Sequence, residues 1–453
     1  MMMYQSPQQP CPGTLSRRQM LRVGSSTLAG LTLADLFRGE ALANASTASK
    51  KSVIVVWLWG GPSHMETFDL KPGAPLEFRG EFDPIPTNVP GLMISEQLPL
   101  LAQQADKWAL VRSLSHESNG HVNSTHTLMT GYPGVPIEMP PYQPEYPDFW
   151  AVSHKLAGPC RDGVPAHVAM PRMRYNGSAY LGGGYDPFIV RTDPNASDFK
   201  VENVSLAAGT EQRFTQRLDL LSQFDQFRRE LDATGAMDSM DQFQRNASTL
   251  LTTGAVHKAF DIQHEDPKIR DRYGRFEFGQ RVLLARRLVE AGVRMVTIDF
   301  PCVPGQKAFS WDDHASVWNI FEQMKIRLPV LDQVVSALID DLHQRGLADD
   351  CLVVVMGEMS HTPRLSNFKG QPGREHWGHT MSLMLAGGGL RMGQAIGATN
   401  HKGDEVAERL VTPSDLLATF YNYFGIPLDT TFNNRAGRPT PLLPAGRVIH
   451  ELG

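Results

Sequence analysis

The chain has 453 residues, of which 41% are hydrophobic and 20% charged, so a long disordered chain and a collagen-like composition are excluded. The formal net charge of −5 argues against a general nucleic-acid-binding surface, and no run of about 18 apolar residues predicts an integral membrane span. The length fits one large α/β domain with insertions, or two domains.

The first 43 residues have the organisation of an export signal. Arg17 and Arg18 precede a mildly apolar run at residues 23–37, and residues 41–43 offer a small-residue cleavage site, with residues 43–45 as a close rival. This order resembles a twin-arginine signal peptide, although an amphipathic helix with a basic start is the other interpretation. We therefore predict export by the twin-arginine machinery to the periplasm or the extracellular space.

Apolar runs and helical periodicity alternate along the rest of the chain. Continuous apolar runs predict buried strands, and spacing of apolar residues by three and four predicts helices. The predicted strands are 51–59, 108–114, 293–300, 351–356 and 381–386. The predicted helices are 278–291, 326–346 and 414–423, the last with Thr412 or Ser414 as its N-cap. Alternation of this kind predicts a doubly wound, mostly parallel α/β sheet with helices on both faces.

We predict that residues 51–453 form the domain and that residues 132–260 are an insertion into it. Within the insertion, residues 132–147 are rich in proline and predict a surface loop. Residues 151–210 predict irregular structure, and residues 211–260 predict polar helices outside the core sheet.

Histidines are concentrated after the predicted strands. Loops beyond the carboxyl ends of parallel strands form the ligand site of an open sheet. The histidines in such loops are His64, His116, His121, His126, His314, His361, His376 and His379. For any single histidine, a surface or capping role is the commoner outcome. Their shared placement with Asp312 and Glu358 instead favours a divalent metal site, since His with Asp or Glu and without cysteine suits zinc, manganese or iron.

A set of short motifs carries a family resemblance. The chain resembles the bacterial family DUF1501 over nearly its whole length after the signal. The motifs are residues 60–64, 67–69, 273–279, 285–294, 311–314, 357–358, 373–377 and 386–389. The family is grouped with the alkaline phosphatase and sulfatase superfamily and usually carries twin-arginine signals. The resemblance implies an alkaline phosphatase-like core with loop and helical insertions and a metal site at its carboxyl edge.

The resemblance also implies roles for individual residues. Asp312 and His314 resemble metal ligands of the superfamily, Glu358 stands where a later strand carries an aspartate, and His376 resembles the last histidine ligand, with His379 as its rival. Calcium joins zinc, manganese and iron as a candidate ion.

The nucleophile position of the superfamily falls on His121, with Ser124 and Thr125 close by. A sulfatase has Cys or Ser at this position, so no formylglycine mechanism is supported. His121 or His126 is expected as a further ligand or a general base. Ser124 and Thr125 are candidate nucleophiles or anion-binding groups, or else helix N-caps.

Two further residues are candidate substrate-binding groups. Arg374 can bind an anion with two hydrogen bonds or form an ordinary surface salt bridge. The aspartate that the superfamily has after its first strand is replaced by Gly60–Gly61, and His64 or Asp69 is the candidate replacement.

Together these features predict an exported metal-dependent hydrolase of phosphate or sulfate esters, acting on a small-molecule or polysaccharide ester. The alternative is a catalytically inactive binding or structural protein on the same fold, because His361 stands where the family usually has arginine and Glu375 where it has aspartate. A metal-dependent oxidoreductase is a third interpretation.

Overall fold

The computed structural model describes residues 50–134, 138, 144–174, 177–201 and 254–453. The predicted signal peptide and most of the predicted polar helices at 211–260 lie outside these residues. Among the described residues, no helix is both long and apolar enough to cross a membrane.

An eight-stranded sheet forms the centre of the domain. Its strands in chain order are β1 (Ser52–Trp57), β2 (Trp108–Leu114), β3 (His167–Met170), β4 (Phe188–Ile189), β5 (Met295–Asp299), β6 (Cys351–Met356), β7 (Met381–Gly387) and β8 (Gln394–Ile396). Their order across the sheet is β8-β2-β7-β6-β1-β5-β3-β4. Only β7 runs antiparallel to its two neighbours among the pairings described, which confirms the predicted mostly parallel sheet.

Helices cover both faces of this sheet. They are α1 (Pro99–Ala102), α2 (His121–Thr130), α3 (Phe149–Ala157), α4 (Gly254–Phe260), α5 (Pro267–Tyr273), α6 (Glu277–Ala291), α7 (Ile320–Gln344) and α8 (Pro413–Tyr423). Alternate residues of β1 enter two separate cores: Ile54 joins the core with α6 and α7, and Val55 joins the core with α3 and α8. A strand buried on both faces is apolar at consecutive positions, which is why β1 and β6 are continuous apolar runs.

Five two-stranded ribbons accompany the sheet in the part of the chain that the structure describes. The ribbon that bears on function pairs Ser360–His361 with His376–Trp377, in an antiparallel register that sets His361 opposite His376. The others pair Pro84–Pro86 with Met93–Ser95, Ser366–Phe368 with Gln371–Gly373, Ala398–Thr399 with Val406–Glu408, and Thr431–Asn433 with Pro439–Pro441.

The observed starts of two helices differ from the starts that the apolar periodicity predicts. Helix α7 begins six residues before its predicted start because the Asn319 side chain accepts hydrogen bonds from the amides of Phe321 and Glu322. Helix α8 begins after Thr412, whose side chain forms a capping box with Asp415, so Thr412 rather than Ser414 is the N-cap.

The prediction of irregular structure across residues 151–210 was wrong in part. Helix α3 enters this segment, and β3 and β4 add two strands to one edge of the main sheet. These strands have only four and two residues, too short for a recognisable alternation of apolar and polar positions.

Candidate metal centre

Four imidazoles surround one carboxylate at the carboxyl edge of the sheet. Nε2 of His314 lies 2.7 Å from Oδ1 of Asp312, and Nε2 of His376 lies 2.8 Å from the same oxygen. Nε2 of His361 lies 3.5 Å from Oδ1, and Nε2 of His121 lies 3.3 Å from Oδ2. The side-chain atoms that His121, Asp312 and His376 could offer to one ion all lie within 4.8 Å of one another.

Glu358 joins this cluster through His121. Its Oε1 lies 2.8 Å from Nδ1 of His121 and accepts a hydrogen bond of 2.8 Å from the amide of Gly60. Its Oε2 is buried and has no hydrogen-bond partner among the described residues. A buried carboxylate oxygen without a donor is costly, so its position favours a cation or a proton beside it.

Gly60 lies in the turn that follows β1. Its φ of +108° is rarely adopted by other residues, and a Cβ there would lie 2.5 Å from the backbone nitrogen of Asp312. The loop after β1 therefore contributes the backbone amide of Gly60 to the cluster. Close packing excludes a side chain at this position.

Chain segments far apart in sequence bring the cluster together. His121 is the first residue of α2, which follows β2, and Glu358 follows β6. Asp312 and His314 lie in the loop between β5 and α7. Parallel strands end at one edge of the sheet, so the loops that follow them converge.

Outer contacts orient two of the imidazoles. Nδ1 of His314 lies 2.5 Å from Oε2 of Glu375, and Nδ1 of His376 lies 2.8 Å from the backbone oxygen of Asn119. Both contacts use the ring nitrogen that faces away from Asp312. Pairing of Nδ1 with a carboxylate or a carbonyl leaves Nε2 free to ligate, as is usual for metal-bound histidines.

His361 is a further member of the cluster, and it lies in the short strand Ser360–His361. Its side chain is fully buried, and neither ring nitrogen has a hydrogen-bond partner among the described residues. Burial lowers the pKa of His361 to about 4. The ring is therefore neutral near pH 7, the state that a metal ligand requires.

The electrostatics of the cluster attract positive charge. Burial opposes ionisation, yet the imidazole hydrogen bonds hold the pKa of the Asp312 carboxyl well below its usual range. Burial likewise opposes protonation of His121, but its hydrogen bonds to Asp312 and Glu358 raise its pKa to about 10. The hydrogen bond to Asp312 raises the pKa of His314. These shifts indicate that the negative charge of the carboxylates in the cluster favours positively charged groups beside them.

Ser124, Thr125 and His126 lie on α2 but outside the cluster. The Ser124 hydroxyl donates to the backbone oxygen of Ser118, and the Thr125 hydroxyl donates to that of His121. Neither is an N-cap, since the helix begins after Gly120. Nδ1 of His126 lies 3.2 Å from the backbone oxygen of Tyr132, so its ring points into the turn after α2.

The amides at the start of α2 bind a carboxylate of the chain itself. The amides of Val122 and Asn123 donate hydrogen bonds of 2.9 and 3.1 Å to the two oxygens of Glu138. The helix start thus binds an anionic group within one turn of His121.

Arg374 is not placed to bind a substrate. Its side chain is fully buried, and its five N–H groups donate to the Glu66 carboxylate and to the backbone oxygens of Thr362, Pro363 and Phe78. A guanidinium has five donors in all, so none remains for an anion. The structure assigns Arg374 to a buried structural ion pair and gives the predicted substrate-binding role no support.

His64 is also held apart from the cluster. Its Nδ1 lies 2.7 Å from the Ser360 hydroxyl and its Nε2 lies 2.9 Å from the backbone oxygen of Gly403, so both ring nitrogens have partners. Asp69, the other candidate replacement, pairs with Lys71 and accepts a hydrogen bond from Thr399. Both side chains are therefore engaged outside the cluster.

His379 lies outside the cluster as well. Its ring packs against Trp377 with the ring centroids 4.7 Å apart, and it lines a separate cavity. Of the two candidates for the last histidine ligand, the structure brings His376 to Asp312.

Fold and site define an α/β protein with an imidazole–carboxylate cluster at the carboxyl edge of a mostly parallel sheet. A family model described as "Protein of unknown function (DUF1501)" matches residues 50–452. The chain belongs to the DUF1501 family. No curated protein matches its sequence.

Several solved structures are similar to this chain at low identity. One is Ps i-CgsB in complex with k-i-k-neocarrahexaose, at 12% identity and a TM-score of 0.41, covering 87% of this chain and 76% of that chain. A 2-O GAG sulfatase is 11% identical with a TM-score of 0.40, covering 88% and 73%. The phosphonate monoester hydrolase of Agrobacterium radiobacter is 11% identical with a TM-score of 0.39, covering 89% and 77%.

Proposed function

We propose that this protein is an exported, metal-dependent hydrolase of phosphate or sulfate esters. The observation that carries the proposal is the convergence of four imidazoles on the Asp312 carboxylate at the edge of the sheet where ligands bind. The buried Oε2 of Glu358 and the two buried nitrogens of His361 have no hydrogen-bond partner among the described residues, and they add oxygen and nitrogen ligands that fit a divalent ion.

The donor set favours some ions over others. Asp312, His121, His314, His361 and His376 would hold the ion, with Glu358 next to them. Imidazole and carboxylate donors without sulfur suit zinc, manganese or iron, whereas calcium prefers oxygen donors alone. The chemistry that a divalent ion supplies in such a site is polarisation of an ester oxygen and a lowered pKa of water.

The residues around the cluster would position an anionic ester. The amides of Val122 and Asn123, which hold the Glu138 carboxylate here, form a backbone site of the right charge for a phosphate or sulfate group. Glu375 and the Asn119 carbonyl keep His314 and His376 in fixed orientations. The hydroxyls of Ser124 and Thr125 donate to backbone oxygens, so we propose water rather than either hydroxyl as the attacking group.

The second candidate is a catalytically inactive binding protein on the same fold. The observation that favours it is the Gly60 turn, which puts a backbone amide where the superfamily has a carboxylate. Such a protein would retain the fold and lack turnover.

We further propose that residues 1–43 direct export by the twin-arginine route. Paired arginines, a mildly apolar run and a small-residue cleavage site support this route. The route carries folded proteins, so an ion bound in the cytoplasm would be retained.

Elemental analysis of the exported full-length protein tests the metal site. The comparison is with the double variant His314→Ala/His376→Ala and with a matched control, His379→Ala, whose ring lies outside the cluster. We expect stoichiometric zinc, manganese or iron in the native protein and in the control, and loss of metal in the double variant. Hydrolysis of a panel of aryl phosphate and sulfate esters should be lost together with the metal.

Two results would contradict the proposal. Well-folded native protein without metal would remove the basis for metal-dependent chemistry. Stoichiometric metal without turnover of any phosphate or sulfate ester would favour the inactive binding protein.

A further inference from the structure

Large apolar side chains are exposed on three segments that lie close together in the fold. They are Leu76, Phe309, Val317 and Phe368, with exposed fractions of 74%, 71%, 51% and 47%. Leu76 and Val317 lie in turns, and Phe368 ends the ribbon strand Ser366–Phe368. The Phe309 ring packs against that of Trp318, the neighbour of Val317, with the ring centroids 5.1 Å apart. Exposed apolar groups that cluster in this way mark an interaction surface.

Hydrogen bonds hold the three segments beside one another. The amide of Leu365, directly before the ribbon at residues 366–373, donates over 2.7 Å to the backbone oxygen of Glu77. The same ribbon donates from the Gln371 side chain to the backbone oxygen of Ala315, also over 2.7 Å. One continuous surface is therefore formed by residues 76–79, 307–317 and 364–369.

The exposed charged groups of these segments are mainly basic. They are Arg79, Lys307, Arg364 and Lys369, against the single exposed carboxylate of Glu77. Among the described residues, none of the four basic side chains has an ion-pair partner. The whole chain has a net charge of −5, so this local excess of positive charge does not follow from composition. We call residues 76–79, 307–317 and 364–369 the basic–apolar surface.

Basic and apolar side chains alternate closely on this surface. Lys369 directly follows Phe368, with its Nζ 5.2 Å from the centre of that ring, and Lys307 lies two residues before Phe309. Protein–protein interfaces are instead depleted of lysine and need a partner with matching pockets. A bilayer needs no such pockets: apolar side chains enter the boundary between headgroups and acyl chains, and basic side chains lie near anionic headgroups.

We propose that the basic–apolar surface docks this protein on an anionic lipid bilayer. Its apolar side chains enter the headgroup region, and its four basic side chains lie at the level of the lipid phosphates. The surface borders the candidate metal centre, because the Ser366 hydroxyl donates over 2.9 Å to Glu375, which also contacts His314. The inference goes beyond the proposed function and does not depend on hydrolysis.

Co-sedimentation of the exported protein with lipid vesicles tests the inference. Vesicles of phosphatidylglycerol and phosphatidylcholine in equal parts are compared with vesicles of phosphatidylcholine alone. We expect stronger binding to the anionic vesicles, and we expect it to fall roughly tenfold or more between about 0.05 M and about 0.5 M salt, because salt screens the attraction.

Two double variants separate the apolar from the electrostatic contribution. Leu76→Ser/Phe368→Ser removes apolar side chains, and Lys307→Gln/Lys369→Gln removes charge. We expect each to lower the vesicle partition coefficient roughly tenfold or more. The charge variant keeps the test valid if the apolar variant fails to fold. The matched control is Leu156→Ser, with an exposed fraction of 42% on α3, which covers the other face of the sheet and should leave binding unchanged.

Several outcomes would overturn the inference. The first is an absence of binding to anionic vesicles at the lower salt, and the second is native binding by both double variants. Self-association without lipid, seen by sedimentation velocity and lost in both double variants, would assign the surface to a second copy of the chain. Vesicle binding that is lost in His314→Ala/His376→Ala, yet kept in both double variants, would place the lipid phosphate at the metal centre instead.

Discussion

Nε2 of His314 and Nε2 of His376 face each other at 3.1 Å, and each lies within 2.8 Å of the same oxygen of Asp312. The two nitrogens and the oxygen surround a point that only a positive species can share, either a proton or a metal ion. This relationship joins a loop after β5 to a ribbon residue 62 positions further along the chain.

Substitution of Asp312 should affect metal affinity more than substitution of any single outer contact. Because all four imidazoles meet this carboxylate, we expect Asp312→Asn to weaken metal binding at least about 100-fold, and Glu375→Gln by about 10- to 100-fold. Competition with a chromogenic chelator measures both. Asp340→Asn, on α7, is the control and should not change affinity. Equal affinities in Asp312→Asn and native protein would show that the ion, if present, binds elsewhere.

Addition of one methyl group at Gly60 should disrupt the centre. An alanine Cβ there would lie 2.5 Å from the backbone nitrogen of Asp312 and 2.7 Å from that of Trp311. We expect Gly60→Ala to lose metal binding and to lower the unfolding free energy by more than about 3 kcal/mol. Metal titration and denaturant unfolding measure the two effects.

Gly305→Ala separates backbone strain from steric overlap at Gly60. Gly305 has a φ of +85°, yet no described atom lies within 4 Å of the position that an alanine Cβ would take, so alanine there brings backbone strain alone. We expect a loss of about 1 kcal/mol with normal metal content. Similar behaviour of the two variants would refute a close approach of Gly60 to Asp312.

Loss of the Arg374 guanidinium should destabilise the fold without altering the site chemistry. Arg374→Met leaves the Glu66 carboxylate buried and unpaired, which should cost about 3–5 kcal/mol in urea unfolding. The double variant Glu66→Leu/Arg374→Met should recover part of this loss because it removes the unpaired charge. Unchanged stability of Arg374→Met with a raised KM would instead support a substrate-binding arginine.

Because of Asp148, we expect the free energy of unfolding to decrease as the pH rises from about 4 to about 7. Asp148 caps α3 by accepting from the amide of Ala151, and burial raises its pKa to about 7. The folded state therefore binds more protons than the unfolded state in this window, so the unfolding free energy decreases as pH rises to about 7 and then levels off.

Asp148→Asn keeps an acceptor for the cap and removes the charge. We expect a gain of roughly 2–4 kcal/mol at pH 8 and little change at pH 4, measured by denaturant unfolding across pH. The control is Asp266→Asn, an exposed cap of α5. A pH-independent effect of Asp148→Asn would contradict a buried, protonated Asp148.

Conservative substitution of the paired arginines tests the export proposal. Arg17→Lys/Arg18→Lys retains the charge but removes the twin-arginine motif, so we expect the uncleaved precursor to accumulate in the cytoplasm. Fractionation and immunoblotting measure it. Normal export of this variant, with Arg22→Lys as the control, would show that another route is used.

Local sequence patterns predicted the central strands because burial requires apolar residues at consecutive positions. Strands β2 and β6 have the predicted bounds, since strands covered on both faces are apolar throughout. Strands β3 and β4 gave no such pattern. Because both strands are short, the pairing of β3 with β5 and of β4 with β3 is the deciding factor, and these pairings are tertiary contacts.

The sequence by itself determined the class of fold, the family, and a set of histidines and carboxylates that follow the strands, because these depend on residue type and order. Only the tertiary structure decided which members meet. It brought His121, His314, His361 and His376 to Asp312, saturated Arg374 with Glu66 and backbone oxygens, and placed His64 and His379 elsewhere. The physical reason is that a side chain's role depends on its burial and its partners, and many of these partners come from segments that are distant in sequence.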